Sequence, residues 1–164
     1  MDVVVRAARA SELDEIGAVT AEVYDGTVSA EYLAVLRDAH SRWQVPATTM
    51  LVAHDDGTDG LLGTVVHAAP GSPWRDFGVD DEAEIRMLGV RAAARGRGVG
   101  EALVLACIAL AKAAESSRLV LSTMTEMTDA QRLYARLGFA RVPERDWTPR
   151  PGLSLLVYSL ELTA

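Results

Sequence analysis

The chain has 164 residues, enough for one domain with a buried core. Its residues are 49% hydrophobic and 24% charged, a balance that argues against disorder. With 16 basic residues against 23 acidic ones the net charge is −7, which disfavours broad nucleic-acid binding because that needs a cationic surface.

Val3 to Ala7 is a short β-rich run and predicts a first strand. An acid, Asp2, precedes it and no cleavage-type segment is present, so no secretory signal is expected. Ser11, with Asp14 at capping-box spacing, predicts a helix start, and Leu13, Ile16, Val19 and Val23 supply its apolar side. A second helix is predicted from Ala30 to Trp43, with Tyr32, Leu33 and Leu36 on one side. Thr48 to His54 and Leu61 to Ala68 are β-rich runs around Asp55-Asp56-Gly57-Thr58-Asp59-Gly60, a hairpin signal. Ala69 to Asp81 holds Pro70, Gly71, Pro73 and Gly78 and reads as a loop.

A strand over Ala83 to Val90 leads through a Gly/Arg-rich turn into a strongly apolar helix, Val99 to Glu115. The longest apolar stretch of that helix, Ala102 to Ala111, is too short to cross a bilayer and runs into Lys112, so no membrane association is expected. Its Cys107 is the chain's one cysteine. It reads as a buried structural thiol rather than a nucleophile, because nothing nearby would lower its pKa. A lone cysteine also excludes an intramolecular disulfide and fits a reducing cytoplasm.

Arg118 to Thr123 is strand-like, and Asp129 to Leu137 is a helix stopped by Gly138. Phe139 to Val142 and Leu153 to Leu160 are closing strands. The order β-α-α-β-β-β-α-β-α-β-β predicts one α/β domain over residues 1–164, with a mixed, mostly antiparallel sheet flanked by helices.

The informative stretch is the turn Arg95-Gly96-Arg97-Gly98-Val99-Gly100 between the strand and the apolar helix. Glycines let a backbone approach a ligand closely, and the free N–H groups of a first helical turn favour an anion. Arg95 and Arg97 add charge that suits phosphate, and a pyrophosphate is the natural guest. The competing reading is a Gly-rich connector with solvated arginines. A P-loop is excluded because its Gly-Lys-Ser/Thr ending is missing. The dinucleotide pattern would need glycine where Glu101 stands.

The same six residues resemble the Arg/Gln-x-x-Gly-x-Gly/Ala signature of the GNAT N-acetyltransferase superfamily. The segment Ala130-Gln131-Arg132-Leu133-Tyr134-Ala135-Arg136-Leu137-Gly138-Phe139 is similar to that family's closing A-x-x-L-Y-x-x-x-G-F block. The opening Arg6 to Ile16 also looks like the start of these proteins, so the resemblance covers nearly the whole chain.

The resemblance implies the GNAT acyl-CoA N-acyltransferase fold and acetyl-CoA as acyl donor. The amides of Arg95 to Gly100 would bind the pyrophosphate of coenzyme A. Leu88, Gly89 and Val90 would pair with the pantetheine arm, Gly89 would suit a bulge, and an amide there would polarise the thioester carbonyl. Tyr134 matches the helix tyrosine expected to protonate the departing thiolate, the competing reading being a core aromatic. Glu84 is the candidate base; a strand-end acid or a carboxylate that attracts a cationic substrate are its alternatives. Asp80, Asp81 and Glu82 suggest an acidic rim beside it. Where many members carry an asparagine ahead of the helix tyrosine, this chain has Met127, so that contact is absent or passes to Thr128 or Asp129, which otherwise cap the helix.

Trp74 and Trp147 fall in loops that shape the acceptor pocket in this family, with ordinary packing as the alternative. His40, His54 and His67 show no ligand spacing, so no metal is expected. The expected function is transfer of acetyl to a small-molecule or peptide amine by direct attack in a ternary complex. The alternative is a catalytically silent acyl-CoA-binding domain on the same fold. The family includes both monomers and homodimers.

Overall fold

Successive residues of a strand point to opposite faces of a sheet, and the central strands here are apolar on both, so helices must cover both sides. The computed structural model describes residues 2–57 and 59–162. Its strands are β1 (Val4–Ala7), β2 (Thr48–His54), β3 (Gly63–Ala68), β4 (Ala83–Val90), β5 (Arg118–Met124), β6 (Ala140–Arg141), β7 (Trp147–Arg150) and β8 (Leu153–Glu161). The helices are α1 (Leu13–Tyr24), α2 (Ala30–Arg37), α3 (Val99–Ala113) and α4 (Thr128–Arg136). On β2, Met50 and Val52 join Leu13, Ile16 and Leu36 of α1 and α2, while Leu51 and Ala53 join Leu103, Cys107, Tyr134 and Phe139 of the α3 and α4 side. Leu103 is fully buried, a placement that contributes about 1.5–3 kcal/mol for a side chain of its size.

The strands run β1-β2-β3-β4-β5-β8-β6 across the sheet, with β7 also paired to β8. Neighbours are antiparallel except β4 and β5, which α3 connects as a crossover and which are parallel. The mixed, mostly antiparallel α/β architecture expected from the sequence is therefore the observed one. β2 and β3 form the expected antiparallel pair; Thr58 of their turn lies outside the described residues.

Three local expectations are corrected. The second helix stops at Arg37 rather than reaching Trp43, because Asp38 leaves helical backbone (φ −90°, ψ 76°). A short 3₁₀ turn, Ala39–Arg42, follows, and Arg42 folds back so that its guanidinium donates to the carbonyls of Val35 (2.9 Å) and Leu36 (3.0 Å). The helix ends here, and the Val35 carbonyl accepts from the Asp38 N–H at 3.2 Å as well, so a buried arginine completes the capping. Burial lowers the Arg42 pKa to about 10. At the first helix, Ser11 and Asp14 do not form the cap. Glu12 accepts from the backbone N–H of Arg9 at 2.8 Å and pairs with Arg6, whereas Asp14 meets His40 at 2.9 Å. The third correction is β7, which holds Trp147 where a loop was expected, although its Pro149 cannot donate to a ladder. As the outer strand of a hairpin closed by Pro151 and Gly152 it needs no such donation.

Candidate active site

β4 and β5 pair only through Ala83 with Leu119 and Glu84 with Val120. Beyond that point β5 keeps its pairing with β8 as far as Met124, while β4 runs on to Val90 along β3 alone. The strands part, and the second half of β4 presents an open backbone edge inside the sheet. A β-bulge adds to this: Met87 and Leu88 together stand opposite Val65, and Met87 has φ 56°. A non-glycine residue at positive φ costs on the order of 1–3 kcal/mol and persists where its surroundings impose it. Here the Tyr24 hydroxyl donates to the Leu88 carbonyl at 2.8 Å and pins the bulge from α1. The bulge thus sits at Met87 and Leu88 and not at Gly89. Gly89 is instead a packing glycine, since a Cβ there would lie 3.2 Å from the Val23 Cγ2.

The cleft opened by the parting strands has two chambers that share Leu88, Met127 and Ala130. The larger, about 590 Å³, is lined by Val90, Arg95, Gly96, Gly98, Val99 and Gly100. Gly96 and Gly98 have φ of 79° and 81°, and a Cβ on either would point into open space. Their glycine identity therefore serves the backbone angle and an unobstructed surface. Gly98 is the N-cap of α3, and no side chain caps the helix there. The N–H groups of the first α3 turn have no intrahelical partners, and the helix dipole adds partial positive charge. This end of the chamber has the donor set that a pyrophosphate requires.

Arg97 is placed elsewhere. Its guanidinium pairs with the buried Asp55 carboxylate in the β2–β3 turn and is not part of the chamber wall. Gly98→Val should strain the turn and fill its open surface, and if the turn holds the cofactor it weakens acetyl-CoA binding by about 10-fold or more with little change in far-UV circular dichroism. Wild-type affinity measured by calorimetry would remove the turn from the binding site.

The smaller chamber, about 240 Å³, lies at the other end of the open edge and is lined by Glu84, Arg86, Tyr24, Tyr32, Tyr134 and Trp147, among others. Glu84 is 1% exposed. Its Oε1 accepts from the backbone N–H groups of Gly78 (2.8 Å), Asp76 (3.1 Å) and Phe77 (3.2 Å), and its Oε2 from Asp76 (3.1 Å). Burial pushes the carboxyl above its ordinary range, and these N–H groups oppose that only in part. It is not a solvated strand-end acid. Oε1 is crowded with donors, whereas Oε2 keeps lone-pair capacity for a further proton or water.

Tyr134 is 4% exposed and packs on Phe139 (ring centroids 5.7 Å apart) and Tyr158 (5.9 Å). Burial raises its phenol pKa, so the hydroxyl stays protonated. The structure thus places Tyr134 both in the core and on the chamber wall. Met127 caps α4 without a side-chain hydrogen bond, and Asp129 pairs with Arg132 at 2.8 Å.

The acidic rim expected beside Glu84 is not formed. Glu82 is 3% exposed and is gripped by Arg145 at 2.9 and 3.0 Å, and Asp81 accepts from the Ser117 hydroxyl at 2.7 Å. Desolvation works to raise the Glu82 pKa, but the bonds from Arg145 and from the Val79 N–H outweigh it and hold the carboxyl low. A lowered carboxyl contributes stability above its unfolded pKa of about 4.3 and loses it as pH falls through the folded value. Glu82→Gln should therefore cost about 1–3 kcal/mol in urea unfolding at pH 7, with the gap to the wild type closing as pH falls below about 4. A gap that stays constant with pH would assign the effect to packing.

Trp147 reaches the chamber, but from β7 rather than a loop. Trp74 does not line it and lies under the Arg42 guanidinium, 5.9 Å from the ring centroid. The Cys107 thiol is buried and pushed up to about 12, so it offers no nucleophile. Among the described residues, no three His, Cys, Asp or Glu side chains converge on a metal-sized site, and no helix is long and apolar enough to cross a membrane.

The family model for the acetyltransferase (GNAT) family matches residues 13–139, which takes in the parted strands, the glycine turn and the α4 tyrosine. The chain belongs to this family. A mycothiol acetyltransferase of Renibacterium salmoninarum is 35% identical over 112 residues, or 66% of this GNAT chain. The chain spans only 31% of that relative's length. A GCN5-related N-acetyltransferase from Kribbella flavida is 29% identical with a TM-score of 0.69, each chain covering 98% of the other. A candidate acetyltransferase of Salmonella typhimurium, solved with its cofactor acetyl-CoA, has a TM-score of 0.67 at 21% identity over 98% of this chain and 94% of its own.

Sequence reasoning did not single out Tyr24, Arg86 or Arg150 for the chamber of this GNAT domain. Arg86 had a signal available, since it stands two positions after Glu84 and a strand points such residues to one face. Tyr24 and Arg150 had none, because α1 and β7 reach the chamber only through tertiary packing.

Proposed function

We propose that this GNAT domain transfers an acetyl group from acetyl-CoA to a primary amine by direct attack in a ternary complex. The observation that carries the reading is the open inner edge of β4, which joins an uncapped, glycine-flanked helix N-terminus to a chamber holding a buried carboxylate and a buried phenol. Residues Arg95, Gly96, Gly98, Val99 and Gly100 would hold the pyrophosphate through backbone N–H groups. Leu88, Gly89 and Val90 would pair with the pantetheine amides as an added strand does. The bulge frees backbone donors that can polarise the thioester carbonyl.

An amine with pKa about 10 is only about one part in a thousand neutral at pH 7, and the ammonium has no lone pair. Glu84, through Oε2 or a water on it, takes that proton. The neutral nitrogen then adds to the thioester carbon, and the C–N bond forms as the C–S bond breaks. Tyr134 donates to the sulfur as negative charge develops there, and the proton shed by the nitrogen as it becomes an amide passes through solvent to restore the phenol. No covalent enzyme intermediate is involved, since the one cysteine is sealed in the core.

The test is thermal unfolding with and without acetyl-CoA, followed by thiol release against a panel of amines. Ligand at 100 times Kd should add about 2.7 kcal/mol of stability. A thermal shift with amine-dependent CoA release supports the transferase. A shift with no release from any amine would point to a silent acyl-CoA binder, and no shift would overturn the cofactor site.

A further inference from the structure

Two guanidinium groups flank one tyrosine in the smaller chamber, and the mechanism above uses none of the three. Arg86 leaves β4 on the same side as Glu84, and its side chain is 9% exposed. It donates from Nη1 to the Trp74 carbonyl (3.0 Å) and from Nη2 to the Tyr32 hydroxyl (2.7 Å), and it pairs with Asp76 Oδ2 at 3.0 Å. Arg150 arrives from β7 on the opposite side, donates to the Ser29 hydroxyl at 2.8 Å, and lies 5.8 Å from the Tyr32 ring centroid. Tyr32 accepts from Arg86, so its own hydroxyl proton remains to be given to something else.

The charge in the chamber is arranged as a dipole. Glu84 is the negative group next to the open edge of β4, and Arg86 and Arg150 gather around Tyr32 at the α2 side. Asp76 is the acidic neighbour of Arg86 in the wall, and its side chain is 41% exposed. A guanidinium has five N–H groups, and these contacts engage three on Arg86 and one on Arg150. Both N–H groups of Arg86 Nη2 are taken, which closes its two-pronged edges and leaves it to hold Tyr32. Arg150 keeps its Nε–Nη2 edge, and that edge with the Tyr32 hydroxyl matches a carboxylate.

Building on the acetyltransferase reading, we propose that the acceptor carries a carboxylate as well as its amine, and that Arg150 and Tyr32 bind that carboxylate while Arg86 positions Tyr32. The acceptor class is then an α-amino acid or a close relative, with its amino group turned toward Glu84 and the thioester. Adjacent opposite charges on the substrate mirror adjacent opposite charges on the wall. A simple alkylamine or a polyamine would give Arg150 no carboxylate and bring a cation toward it. A volume of about 240 Å³ suits a compact acceptor of this kind.

The experiment compares acceptors that differ only in the carboxylate, phenylalanine against phenethylamine and leucine against isoamylamine, by steady-state CoA release. The carboxylate-bearing member of each pair is expected to have kcat/KM about 10-fold higher or more. Arg150→Gln should raise KM for that member about 10-fold, well beyond its effect on the plain amine, with KM for acetyl-CoA unchanged. Arg86→Lys, which keeps the charge and loses the planar fork, should act in the same direction. Arg150 is exposed, so its variant remains informative if Arg86→Lys fails to fold.

Equal kcat/KM within the pairs, or preference for the plain amine, overturns the carboxylate site while leaving the transferase intact. If acetyl-CoA binds but no pair is acetylated, calorimetry with N-acetylphenylalanine and N-acetylphenethylamine decides. Binding confined to the former supports the proposal, and equal or absent binding overturns it. Failure to bind acetyl-CoA at all would bring down the transferase reading and this inference together.

Discussion

Tyr134→Phe is expected to lower turnover about 100-fold or more while leaving acetyl-CoA affinity within about twofold of the wild type. The substitution removes one oxygen and keeps the ring that packs between Phe139 and Tyr158, so the core is preserved. Only the donor to the departing sulfur is lost. Stopped-flow CoA release under saturating acetyl-CoA, alongside calorimetric Kd, separates the two effects. Turnover retained within about threefold would assign Tyr134 to packing alone and leave the thiolate to be protonated by solvent. A coupled loss of affinity and thermal stability would show that the hydroxyl holds the chamber wall instead.

The second large effect is expected at Glu84, where the pH profile matters more than the size of the loss. Glu84→Gln should reduce kcat/KM about 100-fold at pH 7, with the deficit shrinking as pH rises and the amine supplies its own neutral form. The sign follows from protonation. Below the raised Glu84 pKa the wild-type carboxyl is itself protonated and loses its function, and above it the base is present while the amine is still charged. A deficit independent of pH would mean that Glu84 acts by holding the Asp76–Gly78 backbone. Gln keeps an oxygen for the three Oε1 contacts, and its NH₂ opposes the Asp76 N–H only at the Oε2 position. Hydrogen exchange at Asp76 to Gly78 distinguishes these cases: protection retained with a pH-dependent rate loss supports the base, and protection lost with a flat profile supports the tether.

In the proposed reading, acceptor choice and acetyl-CoA binding draw on different parts of the molecule. The donor side is built from backbone: the open β4 edge, the glycine turn and the first turn of α3. The acceptor side is built from side chains of α1, α2, β4 and β7, which come from four separate stretches of the chain. A change in Arg86 or Arg150 can therefore alter which amine is accepted without disturbing the acetyl-CoA site, whereas Gly98→Val acts in reverse.

The order of elements, the mostly antiparallel sheet and the place of the glycine turn were legible in the sequence. They depend on alternation, helical spacing and turn residues, which are local properties. The turn itself was legible because only glycine adopts the backbone of positions 96 and 98 without strain. The likeness of Arg95–Gly100 and of Ala130–Phe139 to one family was likewise visible in consecutive residues.

What the sequence left undecided were partnerships between distant residues. Nothing local shows that Arg97 turns to Asp55, that Glu82 is bound by Arg145, or that Arg42 closes the end of α2. A charged side chain looks solvated until the fold brings its partner. The bulge moved from Gly89 to Met87 for the same reason: a tyrosine on α1 and the register with β3 impose a positive φ that Met would not adopt alone. Glu84 shows the division most clearly, since the sequence marks an acid early in a strand, but only tertiary burial raises its pKa and only the loop over it leaves one oxygen open. Local backbone preference set the elements and the glycine turn, while desolvation and long-range pairing, which exist only in the folded chain, decided the electrostatics of the chamber.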